Sequence, residues 1–267
     1  MKIFQYCDEG GAVILETLEL RLTPPDEFND PFEFAPTVNP ASREQTRRHL
    51  LDNFDEWYEY DGQRLGVGDR SATRRYFLDH VDSIVDGKMK QLPAFAEILR
   101  QQFSAMASRL WVVGSFSKID DSILMWSHYA EKHTGIVIGF DAQQRPFYAP
   151  NILVVEYGEK KPIYSHRSES NEEFAKEFHK VARSKFKHWE YEQEVRILMP
   201  RSRSLREGRY MALEPQSVVS VCFGCRTPEA YRQRVRAALA KPHFQHVKLY
   251  EAKLSPSDYK VDIELCS

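Results

Sequence analysis

The sequence predicts an α+β fold: a mixed, largely antiparallel sheet carrying a helical insertion. Three observations lead there. Short apolar stretches of strand character outnumber helical ones, no regular strand–helix–strand alternation runs through the chain, and the helical patterns gather in one block, after which strands resume. The expectation is a single domain over residues 1–267, with 41–109 inserted as a helical cap.

Taken in order, Ile3 to Tyr6 reads as a short strand, Ala12 to Leu18 as a helix or turn, and "LRLTPP" as an extended stretch stopped by Pro24 and Pro25. "FNDPFE" follows at residues 28–33. Asn29 tolerates left-handed backbone, Asp30 is held extended by Pro31, and a Phe on each side is more than a solvent turn requires. Phe28 and Phe32 are expected to anchor this turn in the core, with Asn29 or Asp30 at the mouth of a cleft. In the block, "SREQTRRHLLDNF" starts with a Ser cap, "SATRRYFLDHVDSIVDG" runs from Ser71 to a stop at Gly87, and "AFAEILRQQFSAMASRL" spaces apolar residues three and four apart. The Gly- and charge-rich "EYDGQRLGVGDR" reads as a mobile loop.

Next come a strand at "LWVVGSF" and a helix over Ser122 to Glu131, capped by Asp120 or Asp121 and closed by a left-handed Gly135. Strands follow at "GIVIGFD" and "ILVVEYG", a helix over Asn171 to Lys187, and strands at "WEYEQEVRILM" and "SVVSVCFG". The helix "TPEAYRQRVRAALA" and the strands "HVKLYEAKL" and "YKVDIEL" complete the series.

Composition removes several classes. A chain of 267 residues, 42% hydrophobic, can bury a sizeable core, and a net charge of −2 excludes a globally basic nucleic-acid coat. No apolar run approaches the roughly 20 residues of a membrane span. "MKIFQYCDEG" lacks the apolar stretch of a secretion signal, and four cysteines fit a reduced compartment, so a cytoplasmic protein without a membrane partner is expected. Cys222-Phe223-Gly224-Cys225 has no second pair and follows an apolar run, which favours packing over metal or redox use. The glycine-rich nucleotide loops are absent.

Four segments bear chemistry. If Trp189 to Arg196 is a strand, Glu190, Glu192, Glu194 and Arg196 share one face, either as a solvated row or as an acidic catalytic one. In "MWSHYAEKHTG" the helix is apolar almost all round. His128 and His133 lie about 140° apart around it, poor geometry for one metal, so His128 is either a satisfied core histidine or, with Tyr129, faces a ligand. Ser115 and Ser117 in "GSFS" suit a ribose or a turn cap. Arg201, Arg203, Arg206 and Arg209 suit phosphates or a solvated loop.

"LRLTPPDEFNDPFE", "MWSHYAEKHTGIVIGFD", "HWEYEQEVRIL" and "VCFGC" together resemble the bacterial domain of unknown function 2971, nearly end to end. A second resemblance is to the ADP-ribosyltransferase fold of the Arg-Ser-Glu class, through Arg21 in "LRL", Ser115 and Ser117 in "SFS", and Glu192 and Glu194 in "YEQE". That likeness implies NAD-dependent ADP-ribosyl transfer by a toxin or phage-defence effector. Arg21 would hold the pyrophosphate of the NAD cofactor, Ser115 or Ser117 would brace the ribose, and Trp126 or Tyr129 would stack on nicotinamide. Glu194 would stabilise an oxocarbenium-like transition state, and Glu192 would orient the nucleophile of a nucleic-acid or protein acceptor. His128, Asn29, Asp30 and Arg196 complete the expected cleft. The alternatives are a metal-dependent nuclease, with Mg²⁺ on Asp141, Glu156 and the acidic row, and a non-catalytic nucleotide- or protein-binding module.

Overall fold

A computed structural model describes residues 1–39, 41–147, 152–165, 171–202 and 205–266. In chain order the elements are β1 (Lys2–Cys7), α1 (Gly10–Thr17), β2 (Glu19–Arg21), β3 (Thr37–Asn39), α2 (Arg43–Asp52), α3 (Phe54–Tyr60), α4 (Arg70–Leu110), β4 (Trp111–Ser117) and α5 (Ile123–Tyr129). They continue as β5 (Ile136–Asp141), β6 (Ile152–Val154), β7 (Glu156–Gly158), β8 (Ile163–Ser165), α6 (Asn171–Ala182), β9 (Ser184–Phe186) and β10 (Glu194–Pro200). The last are β11 (Tyr210–Ala212), β12 (Val218–Phe223), α7 (Glu229–Leu239), β13 (Lys248–Leu254) and β14 (Val261–Leu265). The fold is α+β. The chain forms two compact units, one of Met1–Phe34, Ser104–Lys161 and Ala182–Ser267, the other of Ala35–Phe103 and Pro162–Val181. No described helix is long and apolar enough to cross a membrane.

The first unit is built on an eight-stranded sheet of order β14-β13-β12-β5-β1-β4-β10-β6. Only β12 and β13 run parallel among its ladders; the rest are antiparallel. β5 lies deep in the sheet, and Ile136 to Phe140 are buried without a break, as expected of a strand covered on both faces. Ile3, Leu22, Val112, Phe140, Val195 and Val221 join the main core. Trp126, Tyr6, Val137 and Cys222 form a second cluster. Cys222 therefore packs, and burial pushes its thiol pKa up.

Local chemistry explains several departures from expectation. Ser122, not Asp120 or Asp121, caps α5, its hydroxyl accepting from the Met125 amide at 3.4 Å. Gly135 does not close that helix in left-handed backbone. Glu131, Lys132 and His133 take the positive φ values, 47°, 56° and 71°. Gly135 is required instead because a Cβ there would collide with the Cys7 carbonyl. "ILVVEYG" divides at Val155 into β6 and β7, and α6 stops at Ala182, so that Ser184 to Phe186 can pair with β7.

In the second unit, Ser42 and Gln45 complete a capping box at the start of α2. Gly87 does not end a helix: α4 runs unbroken for 41 residues, through Gly87 and Pro93. The stripe Phe77, Val81, Val85, Leu99 and Phe103 is at most 5% exposed, and this burial outweighs the roughly 1 kcal/mol that a helical glycine costs. The expected loop before α4 includes a 3₁₀ turn, Gly62–Leu65, followed by Gly66 in left-handed backbone. The same unit holds a parallel β3–β8 ladder and an aromatic cluster of Phe103, Tyr164, Phe174 and Phe178.

Candidate functional site

The segment around Glu192 is not one strand. Lys187–Glu192 winds as a 3₁₀ turn, Gln193 takes φ 44°, and β10 begins only at Glu194. The turn is closed by the Gln193 amide on the Glu190 carbonyl at 3.1 Å, and the Gln193 carbonyl accepts the Lys118 amide at 3.1 Å. The expected row of Glu190, Glu192, Glu194 and Arg196 on one face therefore does not form. Glu190 is exposed, whereas Glu192 and Glu194 turn inward. A flat row would have set three carboxylates side by side. The turn separates two of them and brings each against a cation.

Those cations are Lys185 on β9 and Arg196 on β10. Lys185 Nζ lies 2.6 Å from Glu192 Oε2, 2.9 Å from Glu194 Oε2 and 3.4 Å from Glu33 Oε1. Arg196 donates from Nε to Glu194 Oε1 at 2.8 Å, from Nη2 to Glu194 Oε2 at 3.0 Å and from Nη1 to the Ala182 carbonyl at 2.8 Å. Its Nη2 also pairs with Glu33. Tyr129 donates its hydroxyl to Glu192 Oε1 at 2.6 Å and accepts from Asn29 Nδ2 at 3.2 Å. The Ser117 hydroxyl donates to the Glu192 carbonyl at 2.6 Å, and the Glu194 amide donates to the Tyr157 hydroxyl at 2.7 Å. Antiparallel register accounts for part of this, since Glu194 faces Ser117 and Arg196 faces Ser115 across β4 and β10.

Three carboxylates against two cations leave a formal charge of −1 (3 − 2) in a cluster whose side chains are at most 5% exposed. Burial pushes the Glu33 carboxyl up, against the pull of Arg196 and Lys185. Burial works the same way on Glu194, but Arg196 and Lys185 overcome it and hold the carboxyl down at about 2. Burial would lower the pKa of Lys185, yet the carboxylates around it raise it. The Tyr129 phenol is raised by burial and by Glu192, so Tyr129 stays a donor.

A cleft of about 260 Å³ opens onto this cluster. It brings together Arg21, Asn29, Ser115, Ser117, Tyr129, Glu192 and Glu194 from the expected set, with Lys185, Glu33 and Glu27 beside them. Arg21 sits at the exposed rim, its Nη2 2.7 Å from Glu27, and Glu27 also takes Arg209 at 2.7 Å. Phe4, Tyr6, Phe28 and Met125 supply apolar wall.

Other expected residues lie elsewhere. Trp126 is fully buried, donates from Nε1 to the Asp120 carbonyl at 2.8 Å and meets Tyr6 edge-on, so it is a core residue with no face for a ligand. His128 is exposed, with Tyr129 and Tyr191 as ring neighbours, and does not line the cleft. Asp30 is buried and bonds its own turn, accepting the Phe32 amide at 2.9 Å. Arg196 lies among the buried charges that hold Glu194 and is not itself part of the lining. Phe32 is 63% exposed and anchors nothing; Phe34, 2% exposed and edge-to-face with Phe28, does so instead. Arg206 is taken up by Glu19, and Arg203 lies outside the described residues.

Lys185, Glu33 and Glu27 are the charged cleft residues not assigned from sequence. Glu33 stands in the "FNDPFE" turn, but its partner Arg196 is 163 positions away. Lys185 precedes Glu194 by nine residues, and only the 3₁₀ turn folds it back.

Residues 125–197 match the family described as a protein of unknown function, DUF2971. Over that segment the chain is similar to this family. The DUF2971 segment holds Tyr129, Lys185, Glu192, Glu194 and Arg196, whereas Arg21, "FNDPFE" and "VCFGC" lie outside it. No curated protein and no solved structure matches the chain.

Proposed function

We propose that the cleft takes the nicotinamide–ribose end of NAD and that the chain transfers ADP-ribose from it to a nucleic-acid or protein acceptor. The setting we propose is the bacterial cytoplasm, with the protein acting as a toxin or phage-defence effector. One observation carries the reading. Arg21, Ser115, Tyr129 and the Glu192–Glu194 pair come from distant segments and line a single cleft. The excess carboxylate beneath it suits a ligand that is cationic at its pyridinium ring and whose ribose gains positive charge as the glycosidic bond breaks. A cleft of about 260 Å³ is smaller than most complete small-molecule sites, which suits one end of a dinucleotide rather than the whole.

In this reading Arg21 exchanges Glu27 for the pyrophosphate, and the Ser115 hydroxyl braces the ribose. Tyr129 gives the nicotinamide a face. Glu194, pinned by Arg196, keeps its negative charge throughout the reaction. Glu192 directs the acceptor nucleophile, whose proton is lost as the nicotinamide leaves with the bond's electron pair. The nuclease alternative has no comparable support. Among the described residues no three His, Cys, Asp or Glu side chains gather as metal ligands, and Glu156 is paired with Arg183.

The test is thermal stability and nicotinamide release in the presence of NAD. NAD at 100 times its dissociation constant stabilises the wild type by about 2.7 kcal/mol. Arg21→Ala loses that stabilisation, and Glu194→Gln keeps it but releases no nicotinamide. Stabilisation of the wild type without release identifies a binding module. Absence of both overturns the proposal.

A further inference from the structure

Apart from the cleft, a groove of about 540 Å³ lies inside the second unit. Its origin is visible along α4. Over the first half of that helix, Phe77, Val81 and Val85 pack against Leu50, Phe54 and Trp57 of α2 and α3. Further along, Leu92, Phe95, Ile98 and Leu99 continue the apolar stripe and line the groove together with residues of α2 and α3. Phe95 and Ile98 are left 42% and 50% exposed. Helical spacing puts Thr46, Leu50 and Asn53 on one wall, and Trp57, Tyr60 and Asp61 on the next. Walls from three helices and a volume inside the usual range of about 300–1,000 Å³ describe a small-molecule site rather than a flat docking face.

The polar groups indicate what kind of molecule. Among the described residues the groove is lined by Glu56, Asp61 and Lys88, with the imidazole of His49 beside them. Asp61 neutralises Lys88, Oδ2 to Nζ being 2.6 Å. Glu56 has no ion pair among the described residues and lines the same groove as Trp57 and Tyr60; with His49 neutral, the described lining carries a formal charge of −1 (one cation, two carboxylates). Carboxylate together with Trp and Tyr is the chemistry that recognises an ammonium. An anionic head would meet an unbalanced carboxylate there.

We propose that this groove binds a small apolar amine, its hydrocarbon or aromatic body filling the gap beside Leu92, Phe95 and Ile98 and its ammonium facing Glu56. This site is independent of the cleft and of its proposed chemistry.

The experiment is calorimetric titration of the full chain with three probes sharing one body: 2-(1-naphthyl)ethylamine, 1-ethylnaphthalene and 3-(1-naphthyl)propionate. The amine binds at least about tenfold more tightly than the propionate, with the neutral compound between them. Glu56→Gln removes most of that preference and leaves the binding of 1-ethylnaphthalene unchanged. Ile98→Trp, a change at a half-exposed position, fills the groove and abolishes binding of all three while the unliganded melting temperature stays close to wild type. Equal affinity for the three heads overturns the amine assignment. Binding that survives Ile98→Trp, or no binding of any probe at millimolar concentration, overturns the site.

Discussion

Two sets of ion pairs in this chain use the same residue types to different ends. On the surface of the second unit, Arg43 meets Asp86 at 2.9 Å and Asp82 at 3.1 Å, and Arg47 meets Asp82 at 3.3 Å, all with side chains 36–58% exposed. Beneath the cleft, Lys185 and Arg196 meet Glu33, Glu192 and Glu194 with side chains at most 5% exposed. The distances are alike and the solvent is not. Water and salt carry most of the field of the outer pairs, so those charges are nearly interchangeable with hydration. The inner charges rely on one another, with the Tyr129 hydroxyl and the Ala182 carbonyl added, so removing one leaves its partners buried and short of a counterion.

The comparison breaks most sharply at Arg196. Arg196→Ala leaves Glu194 and Glu33 with Lys185 as their single counterion, and a loss of about 3–5 kcal/mol is expected in urea unfolding. Arg196→Lys restores little, because one ammonium cannot reach Glu194, Glu33 and the Ala182 carbonyl as the guanidinium fork does. A loss below 1 kcal/mol for the alanine variant would show that the cluster is hydrated after all.

Acid should produce the next largest effect, in two opposite steps. Glu33, raised by burial, takes a proton in the folded state at a pH where the unfolded chain does not. Its contribution is favourable at low pH and fades as pH rises through the raised value. Glu194 is the reverse: its contribution is present above the ordinary value of 4.5 and is lost as pH falls towards about 2. Urea midpoints should therefore climb as pH is lowered from neutrality towards 4.5 and fall between 4.5 and 2. Glu33→Gln reduces the climb, of which the burial-raised Asp120 keeps a part, and leaves the fall. A monotonic wild-type profile would contradict the opposed shifts.

The smallest effect belongs to the outer pairs. Arg43→Ala, measured the same way, should move the urea midpoint hardly at all, and what it does move should vanish in 1 M salt. A salt-resistant loss there would erase the distinction between the two sets.

Much of the fold was legible because its signals are local. "GIVIGFD" reads as a strand, and a Ser cap at Ser42 announced the start of α2. The site was half legible. Ser117 and Glu194, or Arg21 and Tyr129, stand out as chemistry-bearing residues in short motifs, and one cleft does gather them. Trp126 misled, because an aromatic beside a candidate site reads the same whether its face is open or packed against Tyr6. The acidic row misled too, because "WEYEQEVR" alternates like a strand while its aromatic and acidic residues also satisfy a 3₁₀ turn.

By itself the sequence determined the class of fold, the strands of the large sheet, several helix starts, and the residues able to bear charge or bond a ligand. These follow from periodicity, capping and side-chain chemistry, which act over a few residues. Tertiary structure decided which of those charges are buried. Glu33 and Arg196 become partners across 163 positions, and α4 passes through Gly87 because its stripe is covered. Burial depends on what the rest of the chain brings to a point in space, and that decides whether a carboxylate is a solvated surface group or an acid held at about 2.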